Sequence, residues 1–378
     1  MAPPPLFFGS DIYRGSSYGP GHPLRVPRVS TVIDLSRALG WLPDALYRDS
    51  APAAPALLER FHTSAYVAAL QRAEAEQHVD AATTARHGLG TIANPVFAEM
   101  YRRPATAAAA SVAAARAVLA GGRAFSPAGG THHGQPDRAA GFCYVNDPVL
   151  AILALRDAGL RRIAYVDLDA HHGDGVEAAF AGVPEVLTLS LHEARRWPFT
   201  GDVPVAGKGS IRNLAVPAGF NDSELAFLMD EVVLPLVAAH LPEALVVQCG
   251  ADALADDPMS RLALSNGALA GAVLDLAALC PRFLVLGGGG YNPWSVGRAW
   301  TLLWGLLCGH APPYGPLPDE ARAVLEGLSW SHRRGRDPDP LWRTTLHDAP
   351  APGAVREEVR ALARAHGMAG AERKFSLP

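Results

Sequence analysis

The stretch Arg162–Gly175, RIAYVDLDAHHGDG, decides how the chain is to be read. Its first half, Ile163-Ala-Tyr-Val166, is a β-branched and aromatic run that predicts a buried strand. Polarity then changes abruptly. Asp167, Asp169 and His171 follow at a spacing of two, and residues two apart in an extended chain project to the same side. Three metal-competent side chains are therefore expected to leave one strand end together. Gly173-Asp174-Gly175 makes a turn, and Val176–Phe180 begins a helix. Carboxylates set against apolar strand residues are costly unless paired or metal-bound, so the pattern points to a site.

The rest of the composition sets the frame. At 378 residues and 49% hydrophobic, the chain can bury a sizeable core. A formal net charge of -4 with no basic stripe argues against direct nucleic-acid binding. Cys143, Cys249, Cys280 and Cys308 stand far apart without CxxC spacing, which predicts free thiols and a reducing compartment. The start, MAPPPLFFGSDIYR, lacks the basic region and apolar core of a signal peptide. No apolar run approaches the ~18 residues of a membrane span. The expectation is a cytoplasmic protein with no membrane partner.

Outward from the central stretch, one pattern repeats: short apolar strand, polar or glycine-rich turn, helix. Ala124–Ala128 runs into Gly129-Gly-Thr-His-His133, and Val186–Leu191 into His192-Glu193. Leu245–Cys249 runs into Gly250-Ala-Asp252, and Phe283–Leu286 into Gly287-Gly-Gly-Gly-Tyr291. Helical segments are expected over 30–39, 64–76, 105–120, 148–158, 223–239 and 265–279. Strands alternating with helices imply a parallel α/β sheet, whose ligands bind beyond the carboxyl ends of the strands. The unusual residues all fall at those ends. Beyond about His310 the pattern stops, leaving a proline-rich stretch, a charged turn and one amphipathic helix over 355–366. The reading is one catalytic domain over 1–378, with a core of about 8–308 and a C-terminal extension packed on it.

The chemistry follows from residue types. Asp169, His171 and Asp252 offer two oxygens and one nitrogen to a divalent cation, leaving a position open for water. Such a set suits zinc, and iron(II) is also accommodated. His132 and His133 can move protons, with Asp167 and Asp174 each holding one imidazole. Tyr291, expected to be exposed on its glycine loop, can donate to a developing oxyanion. Individually these features are ordinary: a His pair at a surface, a packed glycine loop, an aspartate capping a helix. Their joint occurrence at successive strand ends describes hydrolysis of an amide.

With those residues in view, the chain resembles the zinc-dependent histone deacetylase family. The matching strings are GGTHH (129–133), GFCYVND (141–147), YVDLDAHHGDGVEAAF (165–180), LSLH (189–192), QCGAD (248–252) and LGGGGY (286–291). Within the family, FGS and YGPGHP near the start and LALS (262–265) are most similar to bacterial acetoin-utilization-type deacetylases. The resemblance implies an arginase/deacetylase-like three-layer α/β fold with a central parallel sheet of about eight strands. It also implies removal of an acetyl group from an N-acetylated amine, typically ε-acetyl-lysine in proteins.

Carried over by position, Asp169, His171 and Asp252 become the zinc ligands. His133 with Asp174 becomes the general base and acid, His132 with Asp167 its electrostatic partner, and Tyr291 the group that polarises the acetyl carbonyl. Gly141 and Phe142 line the acyl-lysine tunnel, and Arg28 sits at the inner pocket that releases acetate. A structural potassium ion is implied at Asp167, Asp169, His171, Ser190 and Leu191, and a second cation site at Phe180 and Val186. Three positions depart from the family pattern. Trp197, in Arg196-Trp-Pro-Phe-Thr-Gly201, replaces the second aromatic wall, on a shorter loop. Ala93 stands where a rim aspartate grips the substrate backbone. Met259 stands where polyamine-selective relatives place an acidic gatekeeper.

Two other functions are weighed against this one. Small acetylated amines, acetylpolyamines among them, are the alternative substrates. A ureohydrolase-like binuclear metal enzyme would need a second carboxylate pair, for which Asp256-Asp257 is the candidate. A non-catalytic acyl-lysine binding module would be expected to have lost a ligand or Tyr291.

Overall fold

Eight strands build one parallel sheet: β1 (Leu6–Gly9), β2 (Tyr47–Asp49), β3 (Gly122–Ser126), β4 (Ile163–Asp167), β5 (Val186–Glu193), β6 (Ile211–Val216), β7 (Ala244–Gln248) and β8 (Arg282–Leu286). Their spatial order is β2-β1-β3-β8-β7-β4-β5-β6. This computed structural model describes residues 3–202, 210–312 and 314–366.

Strand alternation explains the layering. On β4, Ala164 and Val166 enter one apolar cluster, with the helices Val29–Ala38, Asn266–Ala277 and Pro293–Leu307. Ile163 and Tyr165 enter a second cluster, with Arg102–Ala117, Asp147–Asp157 and Asp174–Phe180. β7 and β8 divide in the same way, Val247 and Val285 to one face and Val246 and Leu284 to the other. Both faces of the central strands are therefore covered, which is why these strands read as unbroken apolar runs. The result is helix layer, sheet, helix layer, as expected of the three-layer α/β architecture.

Three strands escaped the sequence pattern. β2 is three residues long and pairs only with β1, and β1 itself is only four. β6, IRNLAV, lies at the opposite edge with polar Arg212 and Asn213 inside it. The helix Pro293–Leu307 was also not foreseen. All of it except Leu306 is buried, so it shows no polar face for periodicity to detect. The segment expected as one helix over 223–239 is interrupted by a π-helical turn at Met229–Val233.

Beyond His310 the chain is fastened to this body. Buried Arg298 pairs with Asp348 at 2.6 Å and donates to the carbonyls of Thr345 (2.7 Å) and His347 (2.6 Å). Trp342 stacks on Trp294 with ring centroids 5.7 Å apart. The last described helix, Glu357–His366, buries Val359, and Arg356 just ahead of it forks onto Glu224. The four cysteines are free. No helix among the described residues is long and apolar enough to cross a membrane.

Candidate active site

The carboxyl ends of β3, β8, β7, β4 and β5 lie side by side in the sheet, so the loops that follow them converge. Strand β4 stops at Asp167, and the chain then bends. Asp167 Oδ1 accepts the N–H of Asp169 (3.1 Å), and Asp169 Oδ1 accepts the N–H of His171 (2.9 Å). These local side-chain bonds replace the extended path. They alter one expectation from the sequence: the three side chains do not leave together. Asp167 turns to His132, whereas Asp169 and His171 turn to Asp252 at the end of β7.

Ligand atoms of Asp169, His171 and Asp252 all lie within 4.8 Å of one another, and all three residues are buried. Nδ1 of His171 stands 2.9 Å from Oδ2 of Asp252 and 3.2 Å from Oδ1 of Asp169. Two carboxylates this close inside the protein call for a cation between them. Without an ion the His171 proton fills that need. Burial alone would lower its pKa, but the two aspartates outweigh burial and raise it to about 10. Burial and the Asp169 charge push Asp252 up. Gly289 closes the pocket: a Cβ there would collide with the Asp252 carboxylate, and its N–H instead reaches Asp169 at 2.6 Å. The donor set, its burial and its charge fit a divalent metal.

Two acid-paired histidines stand beside this centre. Nδ1–H of His132 donates to Asp167 (2.7 Å), and Nδ1–H of His133 donates to Asp174 (2.7 Å). The rings touch at 3.9 Å, but their environments push them apart. For His132, burial is outweighed by Asp167 and Asp169, and its pKa rises to about 9. For His133, burial and the neighbouring charge of His132 lower it to about 3. The two environments therefore favour the charged form of His132 and the neutral form of His133.

Tyr291 corrects an expectation. It is buried at 7% exposure, not displayed on a loose glycine loop, because its ring packs on Phe142 at 5.9 Å. Burial, then the charges of Asp252 and Asp169, keeps its hydroxyl protonated. Arg28 lies behind the same loop. Its guanidinium donates to the carbonyls of Gly288 (2.8 Å) and Gly290 (3.3 Å) and lies over the Trp300 ring.

The structure brings the remaining tunnel candidates to the same place. A Cβ on Gly141 would collide with Trp197 and come within 2.7 Å of His133, so no other residue fits there. Trp197 meets His133 edge-on at 4.6 Å. Met259 packs against the apolar cluster that contains Tyr291, its carbonyl bonded to Arg196 at 2.7 Å. The Ala93 carbonyl takes Nε2–H of His22 (3.2 Å), whose ring meets Phe142 edge-on at 4.5 Å. Of the cation candidates, Asp167 and Ser190 are paired across β4 and β5, with Leu191 next on β5. The Ser190 hydroxyl bonds to Nδ1 of His192 (2.9 Å). Val183 links Phe180 and Val186: its N–H donates to the Phe180 carbonyl (2.9 Å) and its carbonyl accepts the Val186 N–H (3.0 Å).

Asp256 and Asp257 do not form a second metal face. Asp256 accepts Nε1–H of Trp342 (3.0 Å), and Asp257 accepts the N–H groups of Met259 (2.8 Å) and Tyr291 (2.7 Å). Among the described residues, Asp169, His171 and Asp252 make up the one cluster with metal-ligand spacing. The supporting role of Asp257 was missed because a carboxylate serving backbone donors leaves no periodic signal. Gln248 was missed likewise: its Oε1 lies 2.8 Å from the Tyr165 hydroxyl, whose single proton is shared between it and Asp167 (2.7 Å).

Comparison with known proteins agrees with this architecture. The histone deacetylase domain profile matches residues 22–307. Histone deacetylase 8 of Xenopus tropicalis is 35% identical over 294 residues, spanning 75% of this chain and 79% of that protein. Histone deacetylase 9 of Arabidopsis thaliana is 36% identical over 311 residues, spanning 80% and 72%. Crystal structures of an HDAC homolog, one described from Aquifex aeolicus and one complexed with SAHA, superpose with TM-score 0.91 at 34% identity. Each covers 96% of this chain and 100% of the other.

Proposed function

The chain belongs to the histone deacetylase family, and on that premise we propose that it removes acetyl groups from ε-N-acetyl-lysine in proteins. One observation carries this reading. Two acid-paired histidines, His132 with Nε2 3.8 Å from Asp169 and His133 with its ring 6.2 Å from that of His171, stand with buried Tyr291 at the Asp169–His171–Asp252 cluster, and Trp197 lies edge-on to His133.

Asp169, His171 and Asp252 would hold the divalent ion, zinc or iron(II), which supplies Lewis acidity to the reacting carbonyl and water. The chain's own groups do the proton work. Nε2 of His133, the ring nitrogen that Asp174 leaves free, receives the proton of the attacking water and returns it to the leaving amine. His132 keeps its charge and stabilises the negative charge that develops on the substrate. The Tyr291 hydroxyl donates to the carbonyl oxygen as it becomes an oxyanion. Gly141, Phe142, Trp197 and Met259 hold the lysine stem, and Arg28 faces the acetate side. A monovalent ion, potassium, is assigned to the Asp167–Ser190 region as a structural element. The whole chain is read as one catalytic domain with its C-terminal extension.

Small acetylated amines are the second substrate class. Met259 offers no carboxylate to a cationic polyamine, which favours the lysine reading. The test is turnover of an acetyl-lysine peptide and an acetylpolyamine by metal-loaded and chelator-treated protein. Preference for the peptide with loss on chelation is expected. Full activity of metal-free protein, or preference for the polyamine, would overturn the reading.

A further inference from the structure

Two exposed segments flank Phe142 and Trp197, and each turns a large apolar side chain to solvent. Ile92 is 97% exposed and precedes Ala93, whose carbonyl is bonded to His22 at 3.2 Å. The His22 ring in turn meets Phe142 edge-on at 4.5 Å. These contacts fix the Ile92 loop beside the Phe142 wall. On the other side, Trp197 is 40% exposed, and Phe199, two residues on, is 72% exposed. Phe199 also sits at φ 62, a left-handed conformation that disfavours a bulky side chain. A strained, solvent-facing aromatic ring beside a binding tunnel has no rationale in the packing and is suited to contact with a ligand.

The charge around the mouth points the same way. Neither Thr91–Phe97 nor Arg195–Gly201 contains a carboxylate. Asp202, which follows, is turned onto the backbone N–H of Arg195 at 3.1 Å. The Arg195 residue itself is exposed. A lysine-rich flank would meet the like charge of Arg195, with the exposed Asp202 already engaged by the Arg195 backbone. An aliphatic or aromatic flank would cover Ile92 and Phe199 and remove their surface from water.

Resting on the deacetylase reading, we propose that Ile92, Trp197 and Phe199 form an apolar docking rim that selects acyl-lysine segments carrying an aliphatic or aromatic side chain within two positions of the lysine. The occupant is the substrate chain itself, continuous with the tunnel below.

Three acetyl-lysine peptides of equal length test this, flanked by Leu and Phe, by Lys and Arg, or by Gly, using the metal-loaded full chain. The parent should favour the apolar flank over the basic one by roughly five- to twentyfold in kcat/KM, the range for partly covering one apolar side chain. Phe199→Gly removes the ring and relieves its backbone, so Tm should hold; combined with Ile92→Ser it should bring the ratio near one, mainly through KM. A parent indifferent to flanks or preferring basic ones, or a ratio unchanged in the double variant, overturns the rim. No turnover of any acetylated substrate by the parent overturns the deacetylase reading itself, and the rim with it.

Discussion

The carboxylate of Asp257 accepts the backbone N–H of Tyr291 at 2.7 Å while its other oxygen takes the N–H of Met259 at 2.8 Å. One buried group thus fixes the backbone of both Tyr291 and Met259, and Asp256 beside it is held from outside by Trp342. Asp257→Ala leaves two backbone donors unpaired in the interior, at about 1–3 kcal/mol each. The expected result is a fall in stability of that order with a ten- to hundredfold drop in kcat, on the order of a small displacement of a catalytic group. Denaturant unfolding and steady-state kinetics measure the two; parent-like kcat would show that Tyr291 keeps its place without this bond.

Tyr291→Phe separates ring from hydroxyl. The ring remains against Phe142, so Tm should stay within a degree or two of the parent, since little packing is lost. Loss of one oxyanion donor lowers kcat by ~10²–10³. A variant with parent kcat assigns Tyr291 a packing role alone.

Metal uptake should be pH-dependent with a definite sign. In the metal-free protein His171 is raised to about 10, so at neutral pH its imidazolium proton must leave as the ion enters. Affinity is expected to rise about tenfold per pH unit through the neutral range, with one proton released per ion. Titration calorimetry in two buffers of different ionisation enthalpy counts that proton. The same shift makes metal-free stability fully present below the unfolded-state pKa of His171 and lost as pH rises toward 10; stability rising over that window would contradict the assignment.

The C-terminal segment should act as a fastening. Asp348→Ala strands the buried Arg298 guanidinium, although its bonds to the Thr345 and His347 carbonyls remain. Because Asp348 keeps some solvent contact, the expected cost is about 2–3 kcal/mol, below that of a fully sealed pair. An unchanged unfolding midpoint would mean that the Arg298–Asp348 pair contributes nothing to the stability of the body.

The central strands were legible in the sequence because each is buried on both faces and ends in polar or glycine-rich residues. The edge strands were not: Tyr47–Asp49 is too short, and Ile211–Val216 carries polar residues in its interior. The residues at strand ends were legible as a group from their types. Their directions were not, because the bend after Asp167 depends on side-chain bonds to the backbone of Asp169 and His171 rather than on periodicity. Nor could sequence reveal that Tyr291 is buried, since that rests on Phe142, over a hundred residues away in the chain.

Strand order has a consequence for synthesis. Asp169 and His171 emerge from the ribosome well before Asp252, which lies 81 residues after His171, and β8 with the glycine loop that closes over Asp169 emerges later still. The growing chain therefore carries an incomplete cluster, two of its three residues with no opposing carboxylate, until β7 has slotted beside β4. A divalent ion is thus expected to enter only after β7 and β8 have joined the sheet. Arrested chains ending before residue 252 should retain no metal through washing, while released full-length chains should take it up without refolding.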